Sequence, residues 1–544
     1  MNWERDHVEG AAMSVEMQRS EFVEPLTPLR FLDRAAEVFG DKTAIVDGDR
    51  RLDYRQMAAA AEMLARALRA SGIEPGDRVA YMCPNTAEML VAHFGVPLAE
   101  AVLVAVNTRL SAEEVRYICD HSEARVLVVH ASLLDSATPV AAELETVEEV
   151  VVIAAGEDDR TLAGAGSVDY AELLARGGEE PLRWAVDDEL ATISINYTSG
   201  TTGRPKGVMY SHRGAYLNAL GEVIHSEHSS SSVYLWTLPM FHCNGWCTTW
   251  GVTAIGAAHV CLPAVRADEI WRLIDAEGVT HLNGAPAVLT AIAHAEEAHP
   301  LDRRLTVTVA GAAPSPTTIA EMEALGAHVI HVYGLTEVYG PYSICEWQPG
   351  WERLEVPERS RLLARQGVGM IQAERLRVVD EQMGDVPADG STMGEIVMRG
   401  NNVMKGYFRD PEATATAFAG GWFHSGDLGV VHPDGYVQLL DRAKDIVISG
   451  GENISTVEVE QAICSHPAVL EAAVIAVEDD RWGERPKAFV VVHPGGEVSA
   501  ADLIEHTKGK IARFKAPDAI EFLAELPRTS TGKVQKYELR RRGA

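Results

Sequence analysis

Tyr197 to Gly207 reads YTSGTTGRPKG, and this stretch decides how the rest of the chain is read. Ser, Thr and Gly crowd Thr198–Gly203, and Lys206 follows behind Arg204 and Pro205. Such a loop can turn backbone N–H groups and hydroxyls inward as a concave donor surface for phosphate oxygens. Glycine lets the backbone approach closely, because no Cβ intervenes. Lys206 adds a point charge suited to a triphosphate tail. Upstream, Ala191–Tyr197 has the texture of a short buried strand, and Val208–Tyr210 reads as a return strand. The expectation is a loop between two strands, not a strand feeding a helix. A Walker A loop is excluded, since that motif needs Ser or Thr after its Lys and here Gly207 follows.

Working outward, helical spacing alternates with β-branched runs. Phe31, Ala35, Ala36 and Phe39 suit one helical face, Thr43–Val46 a strand, and Met57–Leu68 a helix stopped at Ser71-Gly72. Strands are expected over Arg78–Met82, Val102–Val106 and Val126–Val129, with helices over Ala87–Phe94 and Ala112–Asp120. After the loop come strand Leu235–Leu238, helix Ala267–Ala276, strand Leu282–Gly284 and a helix from Pro286. Strand Thr306–Ala310 runs into GAAPSP, helix Pro316–Leu325 follows, and strand His328–Val332 runs into YGLTE. This alternation implies parallel sheets covered by helices, and ligands in such sheets bind beyond the carboxyl ends of strands. Beyond about Gly367 shorter strands (Arg375–Val379, Gly394–Met398, Tyr436–Leu440) suggest a β-rich subdomain. The tail has its own pattern: helix Val457–Ser465, strands Ala472–Val477 and Ala488–Val492, helix Ala500–Lys510. The fold class is therefore α/β, with a large domain of helix-covered sheets, a β-rich subdomain and a small mobile α+β C-terminal domain. The boundaries expected are a loose arm over 1–24, the large domain over 25–440, a hinge over 441–445 and the small domain over 446–544.

A chain of 544 residues is too long for one ordinary core. Its 47% apolar and 23% charged residues are an ordinary globular balance. A formal charge of −31 opposes nucleic acid and anionic membranes, while leaving room for local basic clusters that hold small anions. Seven scattered cysteines include no CxxC pair, so reduced thiols in a cytoplasmic protein are expected. The opening MNWERDHVEGAAMSVEMQRSEF has no apolar core, so no leader is expected, and no run is long enough for a membrane span.

Five further stretches follow the phosphate loop in order: YGLTE (333–337), GWFHSGDLG (421–429), DRAKD (441–445), ISGGENIS (448–455) and PRTSTGKVQK (527–536). Together with YTSGTTGRPKG they resemble the adenylate-forming superfamily of acyl-CoA synthetases, peptide-synthetase adenylation domains and luciferases. The likeness runs over nearly the whole chain from about residue 30. It implies ATP-dependent activation of a carboxylate to an acyl-adenylate, then transfer to a thiol.

The residues also have their own physical reading. Tyr333 can stack on adenine, Thr336 can donate to a phosphate oxygen, and Glu337 offers the hard oxygen that Mg²⁺ prefers. Asp427 can accept from both ribose hydroxyls, with Arg442 in reach of the same sugar. Gly311, Ala312, Ala313 and Pro314 form a wall of little bulk against adenine or acyl chain, next to Gly334. By resemblance, Thr198, Ser199, Gly200, Thr201, Thr202, Gly203 and Lys206 hold the phosphates, and Thr198 joins Glu337 at the metal. Lys533 is the mobile catalytic lysine of adenylation, and Lys444 the hinge residue. A swing about that hinge brings Gly450, Gly451 and Glu452 to the site for the thiol step.

The stretch PMFHCNGW (239–246) speaks to the acyl group. His242 resembles a residue bordering the acyl pocket and thiol tunnel, and Trp246 a Trp that gates the acyl tunnel. Cys243, Asn244 and Gly245 bring no charge, which disfavours an amino-acid substrate. The implied activity is an AMP-forming acid–CoA ligase using ATP, Mg²⁺ and CoA, with an aliphatic acid preferred. Aryl, branched and methylthio-substituted acids stay open, as do a carrier-protein thiol as acceptor, a luciferase-like oxidase and a catalytically silent acyl-nucleotide-binding protein. Partners are the small acid, ATP and CoA, without nucleic acid, and a homodimer is an admissible assembly.

Overall fold

The computed structural model describes residues 23–154, 167–198, 204–442, 444–449, 452–479, 481–493, 495–528 and 533–543. Two large sheets carry the N-terminal part. In the first, Arg78–Met82 lies between Val102–Ala105 and Ala124–His130, all parallel. Thr192–Tyr197 pairs parallel to Val102–Ala105 and antiparallel to Gly207–Ser211, so the phosphate loop does join two strands of one hairpin. The second sheet sets Val233–Leu235, His281–Gly284, Leu305–Val309 and Ala327–Leu335 side by side in parallel, and Gly340–Ile344 returns antiparallel.

One buried cluster takes side chains from both sheets and from the helices beside them. Helix Ala87–Leu98 is buried at every position but Glu88, and its nearly all-round apolar sequence suits that place. It runs on past Phe94 through Pro97 in its last turn, and Ala99 N–H bonds back to Gly95. Starts are set locally: Ser111 and Glu114 make a reciprocal capping box for helix Ala112–Ser122. Ser315 accepts from Thr318 N–H at the start of helix Pro316–Ala324, with Pro316 at its first position.

The β-rich subdomain is a four-stranded antiparallel sheet of Arg377–Val379, Gly394–Met398, Phe423–Val431 and Val437–Arg442. The C-terminal unit is a second sheet around a long hairpin, Val469–Asp479 with Gly483–Val492, backed by helices Thr456–Cys464 and Ala500–Lys508.

One expected strand is corrected. Leu235–Leu238 is strand only over Val233–Leu235. Beyond it Trp236 N–H still reaches the Val260 carbonyl at 2.9 Å, but Asn85 takes the carbonyls that follow. The Asn85 amide donates to the carbonyls of Trp236 (2.8 Å) and Leu238 (3.0 Å), and its oxygen accepts from Met240 N–H at 2.8 Å. Among the described residues no helix is long and apolar enough to cross a membrane.

Candidate active site

At the mouth of the Thr192–Tyr197 hairpin, Thr198 N–H donates to the Lys206 carbonyl at 3.0 Å and Lys206 N–H to Thr198 Oγ1 at 3.3 Å. Ser199, Gly200, Thr201, Thr202 and Gly203 lie outside the described residues. Lys206 Nζ sits 4.7 Å over the ring of Tyr407. The Tyr407 hydroxyl in turn donates to Glu337 Oε1 at 3.0 Å. Tyr407 reaches this place because Gly406–Tyr407 adds as a short strand beside Val208 and Met209. Sequence reading passed over it, since an aromatic after a glycine is no signal on its own.

Strand Ala327–Leu335 delivers YGLTE to the same region. The Tyr333 hydroxyl donates to Asp427 Oδ2 at 2.6 Å. Asp427 and Arg442 face each other on neighbouring strands, and Arg442 Nε stands 3.1 Å from Asp427 Oδ1. That approach lacks hydrogen-bond alignment, so Oδ1 is a buried acceptor without a hydrogen bond. Asp427 is 3% exposed, and a buried carboxylate oxygen in that condition calls for a donor. A ribose hydroxyl is a donor of the right kind. The YGLTE turn itself is held from three sides. Tyr210 Oη donates to the Thr336 carbonyl (2.6 Å), Cys243 Sγ to Thr336 Oγ1 (3.4 Å) and Met404 N–H to the Glu337 carbonyl (2.8 Å).

Lys533 arrives from the C-terminal unit. A Cβ added to Gly311 would lie 3.9 Å from Lys533 Cε, so the lysine passes directly over the GAAPSP strand end. Ala312 is exposed there, Ala313 half-buried and Pro314 buried. Burial lowers the Lys533 pKa, as does Arg442, while Cys243, Asp427 and Glu337 work the other way. Residues spread over nearly three hundred positions of sequence thus act electrostatically on one ammonium group. His242 belongs to the same neighbourhood. Burial, then the Lys533 charge, push its pKa down to about 3, so its imidazole is neutral near pH 7.

The loop carrying Lys533 is anchored by a residue the sequence did not single out. Lys536 Nζ contacts Glu460 Oε1 at 2.8 Å and Thr456 Oγ1 at 2.5 Å. Asp441 Oδ2 accepts from Thr456 N–H and Oγ1, each at 2.5 Å. Burial alone would lower the Lys536 pKa, but Glu460 and Asp441 more than offset it and raise it. Lys444 is exposed just beyond strand Val437–Arg442, and its neighbour Asp445 pairs with Arg540. Glu452 is exposed on strand Glu452–Ile454; Gly450 and Gly451 lie outside the described residues.

Trp246, the residue expected to gate the acyl group, is 4% exposed. It packs with Leu238, Cys243, Ala310, Ile330, Val332, Ile344 and Met370 at the strand ends. Gly340 has φ +101, and a Cβ there would meet Trp246 Cδ1 at 2.8 Å. The indole therefore lies flush against that backbone, which only glycine permits. Gly334 stands in the same strand end, paired with Pro341.

The family model of AMP-binding enzymes matches residues 32–408, and that of the AMP-binding enzyme C-terminal domain matches residues 458–533. An acetate–CoA ligase of Humulus lupulus is 46% identical over 95% of this chain and 94% of its own length. A 4-hydroxybutyrate–CoA ligase of Metallosphaera sedula is 43% identical over 95% of this chain and 94% of its own. The crystal structure of an anthranilate CoA ligase in complex with anthranoyl-AMP superposes with a TM-score of 0.85 at 27% identity, covering 97% of this chain and 99% of that one. The order of the motifs, the gathering of their residues around one ammonium group and these matches converge: the chain belongs to the adenylate-forming superfamily of AMP-binding enzymes and is an AMP-forming acid–CoA ligase acting on a carboxylic acid, ATP and CoA.

Proposed function

We propose that the acid is a short aliphatic one, of the acetate-to-butyrate class. The observation that carries this reading is the buried Trp246 indole pressed on Gly340 at the strand ends, which we read as the end wall of the acyl pocket. The acetate and 4-hydroxybutyrate ligases named above support it, while the anthranilate ligase shows that likeness of fold alone does not choose between aliphatic and aryl acids.

The residues divide the work as follows. Thr198–Gly203 and Lys206 cradle the triphosphate, Asp427 and Arg442 take the ribose, Tyr333 flanks adenine, and Thr336 donates to a phosphate. The acid's oxygen attacks the α-phosphorus, and the bond to pyrophosphate breaks. Lys533 faces the carboxylate and α-phosphate oxygens as negative charge builds, and positioning with charge neutralisation carries most of this step. Magnesium fits the donors present. Among the described residues no group of three His, Cys, Asp or Glu could hold a metal ion. What the site offers is the Glu337 carboxylate and the Thr198 hydroxyl, the sparse oxygen set of an ion held mainly by substrate phosphates and water. His242, being neutral, lines the acyl entrance without adding charge.

For the second step the unit over 446–544 swings about 441–445 with Lys444 as pivot, and Gly450, Gly451 and Glu452 replace Lys533. The CoA thiolate then attacks the acyl carbon, and AMP leaves. Seven unpaired thiols support a reducing, cytoplasmic setting.

Pyrophosphate release across a panel of acids tests the acid class. Acetate, propionate and butyrate are expected to exceed octanoate and cinnamate in kcat/KM by about tenfold or more. Each methylene that cannot be buried forgoes about 0.8 kcal/mol. A preference for octanoate or cinnamate would overturn the reading.

A further inference from the structure

Trp246 and His242 are presented by an unusual piece of backbone. Over Cys243, Asn244, Gly245, Trp246 and Cys247, φ is +49, +44, +58, +56 and +61. This is a full turn of left-handed helix with a side chain on four of its five residues. Such a conformation crowds each Cβ against the next carbonyl, and it persists only where the surroundings dictate it.

The surroundings are specific. A Cβ on Gly245 would lie 2.6 Å from Trp236 Cζ3, so that position admits glycine alone. Asn244 is completely buried. Its Oδ1 accepts from Ser194 Oγ at 2.5 Å and from Asn196 Nδ2 at 2.6 Å. Its backbone N–H donates to Asn196 Oδ1 at 3.1 Å. Ser194 and Asn196 are two apart on strand Thr192–Tyr197, hence on one face of it. Both are buried polar residues in a strand interior where apolar ones would be cheaper to bury. The strand they sit on runs directly into Thr198 and the phosphate loop.

We propose that Asn244 is a positioning residue that determines acid specificity: its pairing with Asn196 and Ser194 locks the turn bearing His242 and Trp246 to the strand that opens the phosphate loop, and so fixes the depth of the acyl pocket. The idea rests on the reading of Trp246 as the pocket's end wall. Asparagine suits the task because it tolerates left-handed backbone better than most residues and its Oδ1 accepts from two donors at once, while its Nδ2 is buried without a hydrogen bond. Placing acyl wall and phosphate cradle on one lock holds carboxylate and α-phosphorus in register, where small displacements are costly.

The test uses the full chain and compares kcat/KM for acetate, butyrate and octanoate by pyrophosphate release. Asn244→Gly keeps the left-handed backbone without penalty and removes the side-chain lock. It should raise the KM for acetate and shrink the butyrate-to-octanoate ratio by about tenfold, with the KM for ATP within about twofold of wild type. Asn244→Asp retains the accepting oxygen and should return the ratio most of the way. Ser194→Ala removes one of the three bonds and should move the ratio in the same direction by less. An unchanged ratio in both Asn244→Gly and Ser194→Ala, with only the melting temperature lowered, would overturn the proposal. Should Asn244→Gly not fold, Ser194→Ala decides alone. A wild-type preference for octanoate would contradict the acid class, whereas the lock is read from the change between wild type and variant.

Discussion

Single residues set the chemistry here through burial as much as through charge. Trp246 is where the proposed acid class is tested most simply. Trp246→Ala should open volume at the strand ends and shift the preference towards longer or bulkier acids, with ATP use retained. Each added methylene can then contribute about 0.8 kcal/mol of burial. An unchanged ranking with lower thermal stability would return Trp246 to a packing role. Glu222 gives a different residue-scale prediction. It is 1% exposed, neither oxygen has a hydrogen bond, and burial drives its pKa well above the usual carboxylate value. The folded protein thus holds a proton there that the unfolded chain releases above its ordinary pKa near 4.5. Folding binds the extra proton, so this group's contribution to stability falls as pH rises through that window, by at most about 1.4 kcal/mol per pH unit. Glu222→Gln should remove that slope, and its gain in melting temperature over wild type should grow between pH 5 and 8. A constant difference across that range would contradict the protonated carboxyl.

Among the elements, the hairpin around the phosphate loop, the strand ends at GAAPSP and YGLTE, and most helix limits were legible in the sequence, because apolar periodicity and caps are local signals. The turn Cys243–Cys247 was not. Its sequence, CNGWC, offers only an Asn-Gly pair, and it is held by the Trp236 ring against Gly245 and by Ser194 and Asn196, about fifty residues earlier, on Asn244. The long C-terminal hairpin also exceeded its expected strands. Cross-strand pairing carries it from Val469 to Asp479 through residues that lack strict alternation. Lys536 and Tyr407 were missed for the same reason: their importance lies in contacts with Glu460 and Glu337 that no local pattern announces. Lys536 permits a prediction at this scale. Breaking a buried ion pair by removing one partner typically costs about 3–5 kcal/mol. Lys536 and Glu460 keep 16% and 19% of their side chains exposed, so Lys536→Met should destabilise the C-terminal unit by somewhat less than that and slow adenylation, because it loosens the anchor of the Lys533 loop. Adding Glu460→Gln should recover most of the stability, measured by thermal unfolding. No recovery in the double variant would show that the pair is not the anchor.

At the scale of the whole molecule, Lys533 lies over Gly311 and under the influence of Arg442, Asp427 and Glu337, the posture the proposed mechanism assigns to the first half-reaction. In the proposed mechanism the C-terminal unit leaves that posture for the CoA step, with the exposed Lys444 as pivot. Lys444→Pro fixes φ at the pivot, so it should spare acyl-adenylate formation and slow thioester formation from supplied acyl-adenylate. Equal slowing of both would argue against a pivot there. The reciprocal variant is the most direct measurement of all. With Lys533→Ala, adenylation should be followed as pyrophosphate release, and thioester formation from supplied acyl-adenylate and CoA should be followed separately. Loss of one preorganised electrostatic contact typically costs about 10²–10³ in rate. Adenylation should fall by at least that factor while thioester formation stays near the wild-type rate; equal loss in both half-reactions would contradict an alternating site.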